Sequence, residues 1–333
     1  MDNETQNKKP EGQFIGFLKQ FSWAIAAGCG VIAFLALLGT IVTAKLEDGT
    51  VLEIHLWDYF GSGYAYNWSM YITLGLLVAA IACAALHKIN ENFDVASAML
   101  FLLALTMLVL AREFFSYNDG FKSVKVGWAD ALSMVFATVG FAFAISASVS
   151  KKPFTVRDLA EDGVLIAAAF VSNFIKLPIA TGGGSVNFQM LPLFLIALRR
   201  GPAHGLICGG LVYGLITCLT DGYGFATYPF DYLIGFGSVM VLGFLRSFIF
   251  GEGQKSYNLK GEIFLLVGGI LATLIRFIGS TASSMIVYGV DFVGALTYNA
   301  IYIPVSGAIA LAVIMAAYGP LANINARFPA QGR

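Results

Sequence analysis

The stretch YPFDYLIGFGSVMVLGFL, Tyr228 to Leu245, decides the fold. It is apolar enough to live in lipid, yet it carries a carboxylate, Asp231, near its start. An ionised acid at hydrocarbon depth costs from ~3 to more than ~10 kcal/mol, so such a residue marks a site or a helix end. Working outward, apolar segments recur at roughly 21–44, 68–87, 94–111, 128–148, 159–177, 187–198, 203–219, 228–248, 261–288 and 294–318. Of the 333 residues 58% are hydrophobic and 12% charged, half the charged share of a soluble domain. The expected fold is an all-α polytopic membrane protein of about ten transmembrane helices, because an open strand leaves backbone groups unpaired in lipid. A formal net charge of zero argues for no nucleic acid.

The twenty Lys and Arg residues test the topology. With alternating helices and the N-terminus inside, fourteen fall on the cytoplasmic side, five outside (Lys45, Arg112, Lys122, Lys125, Lys176), and Arg276 within a span. That bias predicts a cell-membrane, multi-pass protein with both termini cytoplasmic, and puts Asp231 near the outer face. The run after Lys8, Lys9 and Lys19, Phe21 to Ala44, is too long for a signal peptide and is kept as a span. The basic linker SKKPFTVRDLAED, Ser150 to Asp162, divides a four-helix N-terminal membrane module (1–150) from a six-helix substrate-binding domain (151–333). The outer loop DYFGSGYAYNWSMY, Asp58 to Tyr71, with its Asn67 sequon, suits an aromatic membrane belt or a lid.

No Walker A loop, HExxH or GxSxG is present; GEGQKS (251–256) and GGGS (182–185) lack the required spacing. Cys29, Cys83, Cys208 and Cys218 read as packing residues, and His55, His87 and His204 are scattered, so no metal, cofactor or catalytic site is expected. The chain is therefore not expected to be an enzyme, and uphill transport would need ions or a partner. Gly201, Gly205 and Gly209, then Gly210 and Gly214, recur every four residues, stacking on one helix face for close packing or subunit docking. Gly163 and Ala167 offer a comparable patch.

Pro229 places Asp231 in a first helical turn, where an acid complements the helix dipole. Tyr223, Tyr228, Tyr232, Tyr288 and Tyr298 fall at the same outer level, with Asp221, Asp291 and Asn299. A carboxylate among aromatic faces is equally the arrangement that receives an organic cation. Arg276, in LATLIRFIGSTASSM, calls for an acid such as Asp231 or Asp291.

From LPIATGGGSVNFQMLPLFLIALRRG through GGLVYG, DGY and FDYLIGF, and on to RFIGS and LTYNAIYIP, the chain resembles the thiamine-specific substrate-binding (S) subunits of energy-coupling-factor (ECF) transporters, over about Val156 to Tyr318. The resemblance implies a six-helix subunit binding thiamine or a thiamine-like cation near the outer face. Its implied partners are an ECF coupling membrane protein and two ABC-type ATPases. It implies that Asp231 faces the thiazolium, Tyr232 stacks on the ligand, Tyr298 is a polar contact, and Tyr223 sits on the lid side. Tyr288 and Asn299 complete the expected ligand-binding set, and Gly163 with Ala167 would dock the coupling protein. Ser280 and Arg276 stand where some members carry His and Lys. The alternatives are an S subunit for another vitamin or precursor, or a scaffold or enzyme seated in the N-terminal helices near Glu113 and Asp130.

Overall fold

The computed structural model describes residues 13–61, 68–90, 92–116, 121–151, 154–179, 184–251 and 258–328. Residues 62–67 with the Asn67 sequon, Gly182 and Gly183 of the GGGS turn, and 252–257 of the GEGQKS loop lie outside them. The protein is an all-α polytopic membrane protein, and among the described residues eight helices are long and apolar enough to cross a bilayer.

Four of these make the N-terminal half: α1 (Gln13–Ala36), α3 (Trp68–Ala85), α4 (Asn92–Ser116) and α5 (Trp128–Lys151). One end is capped by strands β1 (Thr40–Leu46), β2 (Val51–His55) and β3 (Phe121–Val126) in antiparallel order β2-β1-β3, with the short helix α2 (Leu56–Gly61) after β2. The sheet departs from the all-helical expectation. Its signal was in the sequence: Asp48-Gly49 between two alternating runs is a hairpin turn, and Gly49 adopts φ +92° there.

The C-terminal half holds α6 (Val156–Phe174), a two-stranded hairpin β4 (Lys176–Pro178) and β5 (Ser185–Asn187), and α7 (Met190–Arg200). Then come the four remaining spans, α8 (Pro202–Asp221), α9 (Phe225–Ile249), α10 (Leu259–Tyr288) and α11 (Phe292–Ala316), and the terminal α12 (Tyr318–Arg327). The two expected spans outside the eight are α6 and α7. Helix α6 carries Arg157, Asp158, Glu161 and Asp162 in its first two turns. Helix α7 has 11 residues, reaching ~16 Å, about half a bilayer.

Helix α6 opens with a capping box, Thr155 and Asp158 each accepting the other's backbone N–H. Asn258 caps α10 at its start, and Gly289 ends it in a left-handed conformation that lets Val290 N–H reach the Ser284 carbonyl. Asp291 then caps α11 by accepting from Gly294 N–H. Asp291 is thus a helix cap, and the expectation that it could pair with Arg276 is corrected.

The glycine ladder of α8 packs inside the protein. A Cβ at Gly209 would stand 2.7 Å from the Phe236 carbonyl oxygen, and one at Gly210 2.6 Å from that of Leu233. The absence of side chains therefore brings the backbones of α8 and α9 into contact. Both helices are wound as π-helix where they touch, at Gly205–Tyr213 and Tyr228–Ile234. The two halves of the chain share a core: Leu206, Leu233, Ile234 and Met240 belong to the cluster built by α1 and α3–α5. Met107 and Leu110 of α4 pack with Phe230, Ala282, Met285 and Ala295.

Candidate ligand-binding cavity

One end of the C-terminal half encloses a cavity of about 320 Å³. Its wall takes Phe170, Asn173 and Phe174 from the end of α6, Asn187 and Gln189 before α7, Asp221 at the end of α8 and Tyr223 just beyond it, Asp231, Tyr232 and Phe236 from α9, Arg276 from α10 and Tyr302 from α11. Asp231 and Tyr232 both face it, two successive residues of the π-helical turn. Widened turns of this kind concentrate at functional sites.

Asp231 accepts a hydrogen bond from the Ser280 hydroxyl. Contact with α10 is possible because Gly279 leaves room for the Phe230 carbonyl, which a Cβ there would overlap. Arg276 does not form an ion pair with Asp231. Its guanidinium carbon lies 4.8 Å from the centre of the Phe236 ring. Its Nε and Nη1 are buried without a hydrogen-bond partner. The expected structural pair is absent, and the cavity holds an acid and a base that are both open to a guest.

A second carboxylate shares the wall. Asp221 accepts from the Tyr232 hydroxyl at 3.2 Å, and so fixes the tilt of the Tyr232 ring. Tyr232 and Phe236 lie 6.1 Å apart, centre to centre, and Phe236 meets Tyr213 edge-on at 4.9 Å. Tyr213 donates to Gln189 Oε1 at 2.6 Å, orienting that amide at the wall. Asn187 donates its backbone N–H to Ser306 Oγ at 3.3 Å, while its side-chain oxygen is buried and unpartnered.

Of the residues expected from sequence, the structure brings Asp231, Tyr232 and Tyr223 to the cavity wall. Tyr288, 52% exposed, and Tyr298 are not part of that wall; Tyr298 packs edge-on against the wall residue Tyr302, 5.6 Å between ring centres. Asn299 stands behind the wall. Its amide donates to Ser284 Oγ at 3.0 Å and the Ala295 carbonyl at 2.9 Å, and its oxygen accepts from Tyr302 at 2.9 Å. It reaches the cavity only by orienting Tyr302. Gly163 and Ala167 lie exposed on α6, with open space around Gly163.

Sequence reasoning did not assign Asn173, Asn187, Gln189 and Tyr302 to the site. The NFQ run after the GGGS turn was a usable signal, because polar side chains directly before an apolar helix in a membrane protein need a reason.

Comparison with known proteins bears on this same region. The family described as thiamine transporter protein matches residues 159–324. Residues 159–324, just under half of the chain, are similar to that family. The match contains every residue of the cavity wall named above. The thiamine transporter ThiT of Bacillus subtilis (strain 168) is 28% identical over 160 residues, covering 43% of this chain and 81% of that protein. An uncharacterised protein in the gap 3' region of Pyrococcus woesei is 26% identical over 144 residues, covering 43% of this chain and 88% of its own length. No solved structure matches. The family is one of transporters and not of enzymes, and the half of the chain that matches it carries the cavity.

Proposed function

We propose that this protein is the substrate-binding subunit of a vitamin importer and takes thiamine, or a cation built like it, into the cavity at Asp231. The observation carrying the proposal is that Asp231 faces a cavity whose wall includes Phe170, Phe174, Tyr232 and Phe236, with no guanidinium ion-paired to it. A desolvated carboxylate beside an aromatic ring attracts a quaternary ring nitrogen through both charge and the ring quadrupole. In this reading Asp231 opposes the thiazolium and Tyr232 and Phe236 flank the ligand. The open Nε and Nη1 of Arg276, with Asn187 Oδ1, serve the acceptors and the amine of an aminopyrimidine. Tyr223, Tyr288 and Tyr298 form the rim through which the ligand passes, and Asn299 acts through Tyr302.

The cavity lies at the end of the bundle opposite Arg199, Arg200 and Arg246. With the basic end cytoplasmic, the cavity opens outward in the cell membrane and both termini lie inside. The matched half carries no nucleotide-binding loop of the Walker type, so energy would come from a coupling membrane protein with two ABC-type ATPases. The exposed face of α6 around Gly163 and Ala167 is where such a coupling protein would dock. Residues 1–150 act as a brace: α4 packs on α9 and α10 beside the turn that holds Asp231.

Calorimetric titration of the purified protein with thiamine tests the assignment. Tight binding is expected, and Asp231→Asn should weaken it by about 2–5 kcal/mol, roughly thirtyfold to several thousandfold. Failure of wild type to bind thiamine at high micromolar concentration would remove the thiamine assignment. Equal affinity in wild type and Asp231→Asn would reduce Asp231 to a helix-dipole acid. A ligand that also carries an anion is the competing reading, favoured by Arg276 and Lys176 in the same wall. Thiamine monophosphate binding more tightly than thiamine would select it.

A further inference from the structure

At the opposite end of the C-terminal half, three potential metal ligands converge. Asp162 of α6, His204 and Cys208 of α8 place their ligand atoms within 4.8 Å of one another, in the one such group found among the described residues. His204 Nδ1 lies 2.6 Å from Asp162 Oδ2, and the Cys208 thiol donates to the same oxygen at 3.5 Å. The other carboxylate oxygen, Asp162 Oδ1, is buried with no partner at all. The His204 ring is held by a parallel stack on Phe154, 3.8 Å between centres, and its side chain is only 12% exposed.

A plain histidine–aspartate pair accounts for one of these contacts and leaves the rest unexplained. It crowds two donors onto one oxygen and strands the other in a buried site, where an unmet acceptor costs about 1–3 kcal/mol. We propose that Asp162, His204 and Cys208 form a binding site for a divalent transition-metal ion of the zinc class. A thiolate, an imidazole and a carboxylate are the mixed soft and hard donors such ions take, usually in tetrahedral sites with a fourth position left for water. Bonds of ~2.0–2.3 Å put tetrahedral ligand atoms roughly 3.3–3.8 Å apart, a spacing reached here by small side-chain rotations. The ion replaces the proton held between Nδ1 and Oδ2 and displaces the thiol proton to solvent. The two negative ligands then balance the ion's charge.

Position gives the site a consequence. It joins α6 to α8 one residue before Gly163, so a bound ion fixes the helix whose outer face is open. Sequence spacing did not reveal it, because Asp162 and His204 are 42 residues apart.

The test uses full-length protein in detergent, stripped with a chelator and titrated with Co²⁺ alone. The expected result is about one Co²⁺ per chain with a near-ultraviolet thiolate charge-transfer band, displaced by Zn²⁺. Cys208→Ser should lose that band, and His204→Asn should weaken binding by about tenfold or more. Should Cys208→Ser fail to purify as a monodisperse species, His204→Asn decides: a thiolate band that weakens with that substitution belongs to this cluster, and one that does not overturns the proposal. Monodisperse wild type showing no such band, or binding no more Co²⁺ than Cys208→Ser, would overturn the proposal and leave a hydrogen-bonded triad.

Discussion

The two ends of the C-terminal half both bury arginine, and they treat it in opposite ways. At the basic end Arg200, with its side chain 3% exposed, forms ion pairs with Asp158 and, at 2.5 Å, with Glu161. Arg199 adds contacts to Glu161 at 3.1 Å and Asn325 at 3.3 Å, and Arg246 donates to the Leu198 carbonyl at 2.8 Å. At the cavity end Arg276 is 7% exposed, stacks on Phe236 and keeps two nitrogens without partners. Asp231, across the same cavity, has a single hydroxyl donor. Burying a charge is costly unless it is paired. The difference lies in ion pairing: Arg200 meets two acids and Arg276 none, which fits architecture at the first end and, on the function proposed above, a guest at the second.

Swapping each arginine for glutamine sets the two ends against each other. Arg200→Gln leaves Asp158 and part of Glu161 uncompensated, which should cost about 3–5 kcal/mol of stability and lower the melting temperature, with ligand affinity unchanged in the protein that stays folded. Arg276→Gln should do the reverse. Stability holds or rises as an unpaired buried charge is removed, while ligand affinity falls by about 1–3 kcal/mol. Thermal melts and titrations of both variants measure this. A large loss of stability in Arg276→Gln would erase the contrast between the ends. Ser280→Ala is next in size: it strips Asp231 of its one donor and should cost about 1.5–3 kcal/mol of ligand affinity, read by calorimetry.

Much of this was legible in the chain, for reasons particular residues make plain. Apolar runs near twenty residues long can only be buried in lipid or core, so the spans could be read directly. Asp231 stood out because acids are rare in such runs, and the four-residue glycine spacing reported a close helix contact before any partner helix was known. What sequence could not say is which side chains meet. Arg276 demanded an acid on charge grounds, but pairing depends on the rotation of α10 against α9, set by Gly279. Asn299 has the right level and the wrong depth, since its amide is consumed by Ser284, Ala295 and Tyr302. Asp221 and Gln189 join the site through tertiary contacts from distant segments, Tyr232 in one case and Tyr213 in the other. The three-stranded sheet was missed because short strands between spans read as loops when helices are the default.

Gly279 allows a sharper cut between architecture and site. A methyl group there meets the Phe230 carbonyl, one residue before Asp231. Gly279→Ala should push α10 from the π-helical turn, costing about 1–3 kcal/mol in stability through overpacking and weakening the ligand through the displaced Ser280 contact. Titration beside a thermal melt separates the two losses. A stability loss with full affinity would show that the turn holds its shape without α10.

The smallest expected effect discriminates most cleanly among the acids that the sequence set at one level. Asp291 and Asp231 looked interchangeable as partners for Arg276, and the structure gives them different work. Asp291 accepts from Gly294 N–H at 3.1 Å and caps α11, outside the cavity wall. Replacing it with alanine strands the first amides of α11, which costs about 1 kcal/mol, typical of a lost N-cap. Because α11 carries Tyr302 about three turns further on, the helix end can fray without moving the wall. Asp291→Ala should therefore lower the melting temperature slightly and leave ligand affinity where it is. Loss of affinity comparable to that of Asp231→Asn would mean that a guest is held by the outer rim as well as by the cavity, and would extend the open, unpaired region to the start of α11.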